Sequence, residues 1–363
     1  MPKPLQRIGV LTGGGDCPGL NAVLRAIVKA AKSLGETQVI GILDGYHGLI
    51  QRQVQLLFLQ DVSGIISRGG TILGTTNRDN PFRFQAEGQG GFIDVSDRVL
   101  ENIRGLELEA LIVIGGDGTL SIAHELFLRG APIIGIPKTI DNDLSATDVS
   151  FGFDTAVGIA TEAIDRLQTT GESHHRVMVT EVMGRNTGWI ALESGLAGGV
   201  DAILIPEIPY NMDRVCQHIE SRKAEGKRFS LVVVAEGALS VGGKAVVNQI
   251  VPTDGSQPER LGGVGNLVGQ GIEARTGVET RITVLGHIQR GGSPSPFDRI
   301  LATRYGVAAV ELAAKRVFGQ MVSLQCGEMT SVPLEQAVRR LRLVPADGNL
   351  VATARRIGIR FGD

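Results

Sequence analysis

Short, continuous apolar runs alternate along the chain with longer segments in which apolar residues recur every three or four positions. Runs of consecutive valine, isoleucine and leucine are typical of strands that are buried on both faces of a parallel sheet. Their alternation with helical segments predicts an α/β fold with mainly parallel sheets and right-handed crossovers. The predicted strands are Ile8–Thr12, Gln38–Leu43, Ala110–Ile114, Pro132–Ile136, Val177–Val182, Ala202–Ile205, Leu231–Ala235, Ile282–Leu285 and Val322–Leu324.

Three segments carry the clearest helical period: Asn21–Leu34, Thr155–Gln168 and Asp298–Phe318. Each places its apolar residues on one stripe of a helix, and Gly319 is expected to close the third helix. Asn80–Asp97 is rich in polar residues and glycine, which predicts a surface loop. A domain boundary is predicted near residue 151, where a polar stretch ends.

Glycine is the unusual feature of the composition. The chain has 50 glycines among 363 residues, about twice the average share, yet 42% of its residues are apolar. With no Gly-X-Y period, this composition excludes collagen-like and disordered chains. The extra glycines must lie in ordered turns, where the backbone bends sharply or approaches a ligand closely.

Charge and cysteine content exclude several kinds of partner. The 36 Lys and Arg residues nearly balance 38 Asp and Glu residues without a basic block, and aromatic residues make up only 4%. A nucleic-acid partner is therefore not expected. Three widely spaced cysteines (Cys17, Cys216 and Cys326) fit neither a disulfide framework nor a CxxC metal site. With no apolar run near the ~18 residues of a membrane span, a cytoplasmic protein without a membrane partner is expected.

Two glycine-rich turns follow predicted strands and open helices. The first, at residues 12–21, reads TGGGDCPGLN, and the second, at residues 114–120, reads IGGDGTL. Converging backbone N–H groups at a helix N-terminus favour a phosphate group. Neither turn matches the Walker A or GxGxxG pattern, and either one alone is equally consistent with a tight structural turn. Two such turns together favour phosphate binding, with Asp117 as an oxygen ligand for a phosphate-bound Mg²⁺.

A third segment, residues 136–144, reads IPKTIDNDL and also follows a predicted strand. Its two aspartates fit an exposed Asx turn, which is the usual role of such a sequence. Beside two phosphate-binding turns they favour a different hypothesis. One aspartate would accept a hydroxyl proton and the other would help to hold Mg²⁺.

Basic residues and one further carboxylate follow or open the later strands. Arg185 lies in a turn after a strand, Arg281 opens a strand that leads to His287 and Arg290, and Glu236 ends another. Each alone is more often a structural residue, but together the basic residues suggest a second anion site. Glu236 is placed to accept bonds from sugar hydroxyls. Together with the two glycine-rich turns, these residues indicate phosphoryl transfer from a polyphosphate to a hydroxyl of a phosphorylated acceptor. The glycine-containing segment Leu261–Asn266 is interpreted only as a helix-entry turn.

Six motifs resemble, in order, those of the phosphofructokinase family: Gly13–Asn21, Arg68–Thr71, Gly115–Thr119, Pro137–Asp143, Met183–Arg185 and Gly286–Pro294. The resemblance implies two Rossmann-like three-layer α/β/α domains with mainly parallel sheets and the active site between them. Residues 1–150 with about 289–340 would bind ATP, and residues 151–288 with about 341–363 would bind fructose 6-phosphate. The implied glycolytic reaction transfers the γ-phosphoryl group of ATP to the 1-hydroxyl of fructose 6-phosphate.

The resemblance also implies roles for individual residues. Asp141 matches the base, Thr139 the reacting region, Arg185 the residue that stabilises the transferring phosphoryl group, and Asp117 and Asp143 the positions associated with Mg²⁺. The implied nucleotide contacts are Gly15, Arg78, Gly116, Asp117, Gly118 and Thr119. The implied sugar-phosphate contacts are Thr139, Asp141, Asp143, Arg176, Met183, Gly184, Arg185, Glu236, Arg281, His287 and Arg290.

In tetrameric members of the family, the residues at the positions of Arg176 and Arg281 reach in from the neighbouring subunit. A homo-oligomer is therefore expected, as a tetramer or a dimer.

The phosphoryl donor distinguishes two branches of the family. Similar pyrophosphate-dependent enzymes carry an aspartate in place of Gly118 and a lysine at the position of Lys138. The two markers disagree here. An acidic side chain at 118 would crowd and repel the α-phosphate of ATP, so the glycine favours ATP, with the pyrophosphate-dependent phosphotransferase as the alternative.

Other functions of the same motifs stay open. A non-catalytic sugar-phosphate-binding regulatory subunit would be expected to lose the base or the Mg²⁺ carboxylates, which this chain retains. Kinases of the diacylglycerol or NAD type share GGDGT but not the other motifs. Arg25, Arg166, Lys227 and Arg228 match the family's effector site. Because Lys29 and Leu59 replace arginines there, the usual allosteric effectors are expected to act weakly or differently.

Overall fold

The computed structural model describes residues 5–85, 91–250 and 259–363, which form two compact units. The first unit contains residues 5–154 and 290–341, and the second contains residues 155–250, 259–289 and 342–363. The chain therefore enters and leaves each unit more than once, and each unit is described by itself.

The described residues form strands and helices that alternate for most of the chain. The strands are β1 (Arg7–Thr12), β2 (Gln38–Ile42), β3 (Val54–Leu57), β4 (Ala110–Gly115), β5 (Ile133–Pro137), β6 (Val177–Val182), β7 (Ala202–Leu204), β8 (Ser230–Ala235), β9 (Val247–Ile250), β10 (Glu259–Leu261), β11 (Thr280–Val284), β12 (Gln320–Gln325) and β13 (Glu328–Pro333). The helices are α1 (Leu20–Ser33), α2 (Tyr46–Gln51), α3 (Ser96–Gly105), α4 (Asp117–Leu128), α5 (Phe153–His174), α6 (Trp189–Ala197), α7 (Met212–Ala224), α8 (Val264–Thr276), α9 (Pro296–Ala314), α10 (Leu334–Val338) and α11 (Asn349–Arg356).

The first unit is built on a seven-stranded sheet of order β13-β12-β5-β4-β1-β2-β3. Its five central strands are parallel, and the antiparallel strands β3 and β13 form the two edges. Leu11, Leu111 and Val113 pack on one face with side chains of α2, α3, α4 and α10. Helices α1 and α9 pack against each other and against strands of the same sheet, which covers the other face.

The second unit has a four-stranded parallel sheet of order β11-β6-β8-β7. Val179 and Val234 pack on one face with apolar residues of α7 and α8. On the other face, Gly195 of α6 lies close to Ile203 of β7. Strands β9 and β10 form a separate antiparallel pair. The predicted mixed α/β fold with mostly parallel sheets is confirmed.

The structure departs from the sequence predictions at several strands and at the end of one helix. Strands β3, β9, β10 and β13 were not predicted. Helix α9 ends at Ala314 because Arg316 adopts a left-handed φ of 55°, so the prediction that Gly319 closes this helix is wrong. The Gly319 N–H group instead donates to Ile133 O, beside the start of β12.

No helix in the described part of the chain is both long and apolar enough to cross a membrane.

The predicted loop at residues 80–97 is partly ordered into secondary structure. Phe84 and Ile93 form an antiparallel bridge through two backbone hydrogen bonds, and α3 already begins at Ser96. Residues 86–90 lie outside the described residues. Within its described residues, the predicted loop therefore contains one isolated bridge, and only its last two residues belong to a helix.

Candidate active site

Three turns of the first unit leave neighbouring strands at one edge of the sheet. Strands β5, β4 and β1 are adjacent and parallel, so their carboxyl ends meet there. The Gly13 N–H group donates to Ile114 O at 2.9 Å, and the Lys138 N–H group donates to Gly115 O at 3.0 Å. Ligands of open parallel sheets bind at such an edge. The three turns predicted to carry the chemistry are thus close together.

Gly15, in the first turn, lies between two basic side chains. Lys138 is buried, and its Nζ donates to Gly15 O at 2.5 Å. A Cβ added at Gly15 would lie 2.7 Å from Nη1 of Arg290, so a larger residue here would displace the guanidinium. Arg290 also donates to Asp16 O at 3.3 Å. Two cations therefore hold the turn that follows β1, and burial lowers the pKa of Lys138.

The segment that contains Arg78 supports the same turn from another side. The Gly14 N–H group donates to Thr76 O at 3.0 Å, and the Thr75 hydroxyl donates to Gly14 O at 2.7 Å. Arg78 is exposed two residues further on, and its N–H group donates to the Thr76 hydroxyl. The backbone just before Arg78 is thus joined to the first turn.

The turn after β4 leads directly into α4. Gly116 is the N-cap residue, and Asp117 and Gly118 begin the helix. Thr119 is buried, and a Cβ at Gly13 or Gly115 would clash with its side chain. A Cβ added at Gly118 would have open space around it, with no described atom within 4 Å. The helix N-terminus therefore presents free space beside Gly118 to a ligand.

The turn after β5 gathers negative charge. The Asp141 N–H group donates to the Thr139 hydroxyl at 3.1 Å. Burial, followed by the charges of Asp141 and Asp117, raises the pKa of Asp143 to about 7. Like charges in a partly desolvated place repel one another, which makes the ionised cluster costly without a cation.

Among the described residues, Asp143 Oδ1 is buried and has no hydrogen-bond partner. Within the same ranges, no three His, Cys, Asp or Glu side chains gather closely enough to enclose a metal ion. Mg²⁺ commonly binds through one or two carboxylates plus the phosphate oxygens of a substrate. The carboxylates therefore fit a Mg²⁺ ion that arrives with a phosphate group.

In the second unit, three turns follow adjacent strands. Met183, Gly184 and Arg185 follow β6, Glu236 follows β8, and His287 lies in the 3₁₀ turn Gly286–Arg290 after β11. The Glu236 N–H group donates to Val182 O at 2.9 Å. These predicted sugar-phosphate residues thus lie at the same edge of their sheet.

Arg176 and Arg281 lie at the opposite end of the strands of that sheet, the amino end. Arg176 immediately precedes β6, and Arg281 is the second residue of β11. Both pair with Glu279, Arg176 through its Nε at 2.7 Å. Strand β6 has six residues and so is about 20 Å long. The two arginines therefore do not join the turns that hold Met183 and His287.

Three residues of the second unit were not singled out by the sequence. Gln289 is fully buried, accepts the Met183 N–H group and donates to Gly286 O, which joins the turns after β6 and β11. Glu181 accepts the N–H groups of Gly263 and Gly265 and so caps α8. This contact confirms that residues 261–266 are a helix-entry turn. Glu207, the third residue, binds backbone N–H groups beside α6.

Comparisons with known proteins agree with this geometry. The family model described as phosphofructokinase matches residues 7–313. The chain is 52% identical to an ATP-dependent 6-phosphofructokinase 2 of Clostridium perfringens over the full length of both chains. It is 53% identical to an ATP-dependent 6-phosphofructokinase of Chloroflexus aggregans, over 100% of this chain and 99% of that one.

Solved structures share the fold. A Pichia pastoris phosphofructokinase in the T-state matches 98% of this chain and 36% of that chain, with a TM-score of 0.80 and 30% identity. A pyrophosphate-dependent phosphofructokinase of Marinobacter aquaeolei matches 94% of this chain and 86% of that one, with a TM-score of 0.79 but 21% identity. The resemblance seen in the motifs is confirmed, and the chain belongs to the phosphofructokinase family.

Proposed function

We propose that this protein is an ATP-dependent 6-phosphofructokinase. The observation that carries the proposal is the gathering of Asp117, Asp141 and Asp143 beside two glycine-rich turns at one sheet edge. The names of relatives at about 50% identity support ATP as the donor and fructose 6-phosphate as the acceptor.

In the proposed reaction, Asp141 accepts the proton of the 1-hydroxyl as its oxygen attacks the γ-phosphorus of ATP. The bond from the γ-phosphorus to the bridging oxygen breaks, and ADP leaves with that electron pair. Thr139 orients the turn through its bond to the Asp141 N–H group. Arg185 supplies positive charge to the transferring group, whose equatorial oxygens carry most of the negative charge.

Asp117 and Asp143 would hold Mg²⁺ together with phosphate oxygens of the nucleotide. The ion would neutralise charge on the β- and γ-phosphates. Gly15, Gly116 and Thr119 shape the phosphate-facing turns, and Arg78 would donate to phosphate oxygens. Met183, Gly184, Glu236, His287 and Arg290 would bind the sugar phosphate.

Two features of the first unit support ATP rather than pyrophosphate. The space around Gly118 leaves room for an α-phosphate. Lys138, the marker shared with pyrophosphate-dependent enzymes, is buried and already donates to Gly15 O. We interpret this lysine as a support for the first turn.

The decisive experiment offers the purified protein fructose 6-phosphate and Mg²⁺ with either ATP or pyrophosphate. Turnover with ATP should exceed turnover with pyrophosphate by a wide margin. Robust turnover with pyrophosphate alone would favour the alternative donor, and no turnover with either would favour a regulatory subunit.

Substitutions at Gly118 distinguish the effect of side-chain size on ATP binding from the effect of side-chain charge. We expect Gly118→Ala to fold normally, since the added Cβ meets no described atom, and to raise the KM for ATP less than an aspartate does. Gly118→Asp should raise the KM for ATP about fivefold or more, because a like charge a few ångströms from a phosphate costs on the order of 1–4 kcal/mol. Gly118→Asn, of the same size, should fall between them. Equal ATP kinetics for all three variants would contradict this assignment of donor specificity.

We further propose a homo-oligomer, in which Arg176 and Arg281 serve a neighbouring copy. Their position at the far edge of the second sheet supports this arrangement. Phe297, Ile300 and Val307 on one face of α9 are exposed apolar residues and add surface for self-association. Light scattering of the purified protein would test the oligomer.

The weak-effector hypothesis concerns a small groove in the first unit. The groove of about 210 Å³ is lined by Arg25, Lys29, Leu59, Val62, Ser63 and Gly64. Leu59 offers no donor to a phosphate, so we propose that nucleoside diphosphates bind weakly there. Sigmoidal fructose 6-phosphate kinetics that ADP strongly relieves would contradict the hypothesis.

A further inference from the structure

Glu207 joins two segments of the second unit that are distant in sequence. Both of its carboxylate oxygens accept the Gly188 N–H group at 3.1 Å, and Oε1 also accepts the Val344 N–H group at 2.9 Å. Partial burial raises the pKa of Glu207, while the bonds to Val344 and Gly188 oppose that rise. A carboxylate kept at such a cost usually has a specific partner to hold.

Gly188 is the N-cap of α6 and ends the turn that carries Arg185. The start of this turn is held by the backbone after β8, where the Gly237 N–H group donates to Gly184 O at 3.1 Å. A Cβ at Gly237 would lie 1.9 Å from Arg185 O, so the two backbones are in direct contact. The Arg185 turn is therefore fixed at its start by β8 and at its end by Glu207.

The segment Arg342–Val344 holds the same end of the turn through further contacts. The indole N–H group of Trp189 donates to Arg342 O at 2.8 Å. The Arg342 guanidinium stacks over the Trp189 ring, 4.4 Å from its centroid. Both Trp189 and Val344 are buried. A segment that lies outside the family motifs thus contacts Trp189, four residues after Arg185.

We propose that Glu207 is a positioning residue for Arg185, acting with the segment Arg342–Val344 as a brace behind the turn. The inference rests on the proposed function, in which Arg185 stabilises the transferring phosphoryl group. Such stabilisation requires a donor that is held in place before the reaction. A displacement of about 1 Å in a group of this kind can lower the rate about a hundredfold.

The test compares Glu207→Leu with Glu207→Gln in the full-length protein. Leucine removes both acceptors, so kcat should fall about 10- to 100-fold while the KM for ATP stays within about twofold of wild type. Glutamine keeps one oxygen that can accept both N–H groups, and should recover kcat to within about threefold of wild type. Glu220→Leu, the same change at an exposed position of α7, is the matched control.

A second readout follows the turn directly. Trp189 is the single tryptophan of the chain, so its fluorescence reports on this site alone. Its anisotropy should fall in Glu207→Leu and not in Glu207→Gln or Glu220→Leu. A fall in the melting temperature without these changes would indicate a purely structural role and overturn the proposal.

If Glu207→Leu does not fold, Trp189→Phe decides the question. This variant keeps a ring under Arg342 but loses the hydrogen bond to Arg342 O, and kcat should fall about two- to fivefold with the KM for ATP unchanged. Wild-type kcat in that variant would overturn the proposal. Wild-type protein that does not phosphorylate fructose 6-phosphate with ATP would instead refute the proposed function.

Discussion

The two units distribute their predicted ligand-binding residues in different ways. In the first unit, Gly15, Asp117 and Asp141 follow three adjacent strands and lie at one edge of the sheet. In the second, Met183 and Glu236 lie at the carboxyl edge, whereas Arg176 and Arg281 lie at the amino edge. The first unit thus presents its predicted residues in one place, and the second presents two groups at opposite ends of its strands.

Their electrostatic arrangements differ as well. The aspartate cluster of the first unit is a set of like charges, and its mutual repulsion contributes to the raised pKa of Asp143. The arginines of the second unit share Glu279, and bonding to Arg176 is the main cause that lowers the pKa of that carboxyl. The first arrangement calls for a cation, and the second, with two arginines to one carboxylate, keeps a net positive charge that favours an anion.

Among the proposed substitutions, removal of the proposed base in the first unit should reduce activity most severely. Asp141→Asn keeps the size of the side chain but cannot take up the hydroxyl proton, so kcat should fall about 10²- to 10⁴-fold. Substrate binding, measured by calorimetry, should be retained. Asp165→Asn, the same change at an exposed position of α5, is the control and should leave kcat unchanged. A loss of less than about tenfold would remove Asp141 from the role of base.

The second unit's distant arginines should have the next largest effect. Arg281→Ala and Arg176→Ala should each raise the KM for fructose 6-phosphate about 10- to 100-fold, because a lost bond to a charged phosphate costs about 1.5–3 kcal/mol. The KM for ATP should change little. Arg316→Ala, which removes an arginine bonded to Glu109 in the first unit, is the matched control.

Mixing two inactive variants tests whether these arginines serve a neighbour. Asp141→Asn protein and an Arg176→Ala/Arg281→Ala double variant would be dissociated, mixed and reassembled. Hybrids should turn over substrate well above either parent, since some sites then combine intact arginines with an intact base. Activity that never exceeds the parents would show that each chain uses its own arginines.

The cost of the aspartate cluster should appear as a smaller effect on stability. Because the pKa of Asp143 is about 7 in the folded state and 3.8 in the reference state, folding takes up a proton between these values. Stability contributed by this site therefore falls as the pH rises from about 4 to about 7. Without Mg²⁺, Asp143→Asn should raise the melting temperature by a few degrees at pH 8 and hardly at pH 4.5.

Thermal unfolding of wild type, Asp143→Asn and Asp165→Asn at both pH values measures this difference. Mg²⁺ with a nucleotide should stabilise wild type at pH 8 and have less effect on Asp143→Asn. The same pH dependence in all three proteins would mean that repulsion among the aspartates does not lower the stability of the folded protein.

The predictable parts of the molecule are those that depend on local sequence. Buried parallel strands such as β5 and β6 are continuous apolar runs, and the residues that follow them share a sheet edge by the geometry of parallel strands. The edge strand β13 escaped prediction because it is half exposed and its pairing with β12 is antiparallel. Glu207 and Gln289 escaped it because their partners are backbone groups far away in sequence. The predicted roles of the site residues stay predictions until the variants are measured.

The cap on α8 has a consequence for the order of folding. Gly263 offers no side chain to the start of this helix, and the acceptor comes instead from Glu181, 82 residues earlier. An isolated peptide of α8 should therefore contain little helix, since short uncapped helices are marginal in water. Helix α8 would become stable only when β6 is already in place, and contacts of such long sequence separation form slowly. We therefore expect β6 to form before α8 when the second unit folds. Helix α8 should be among the last elements of this unit to gain protection from hydrogen exchange.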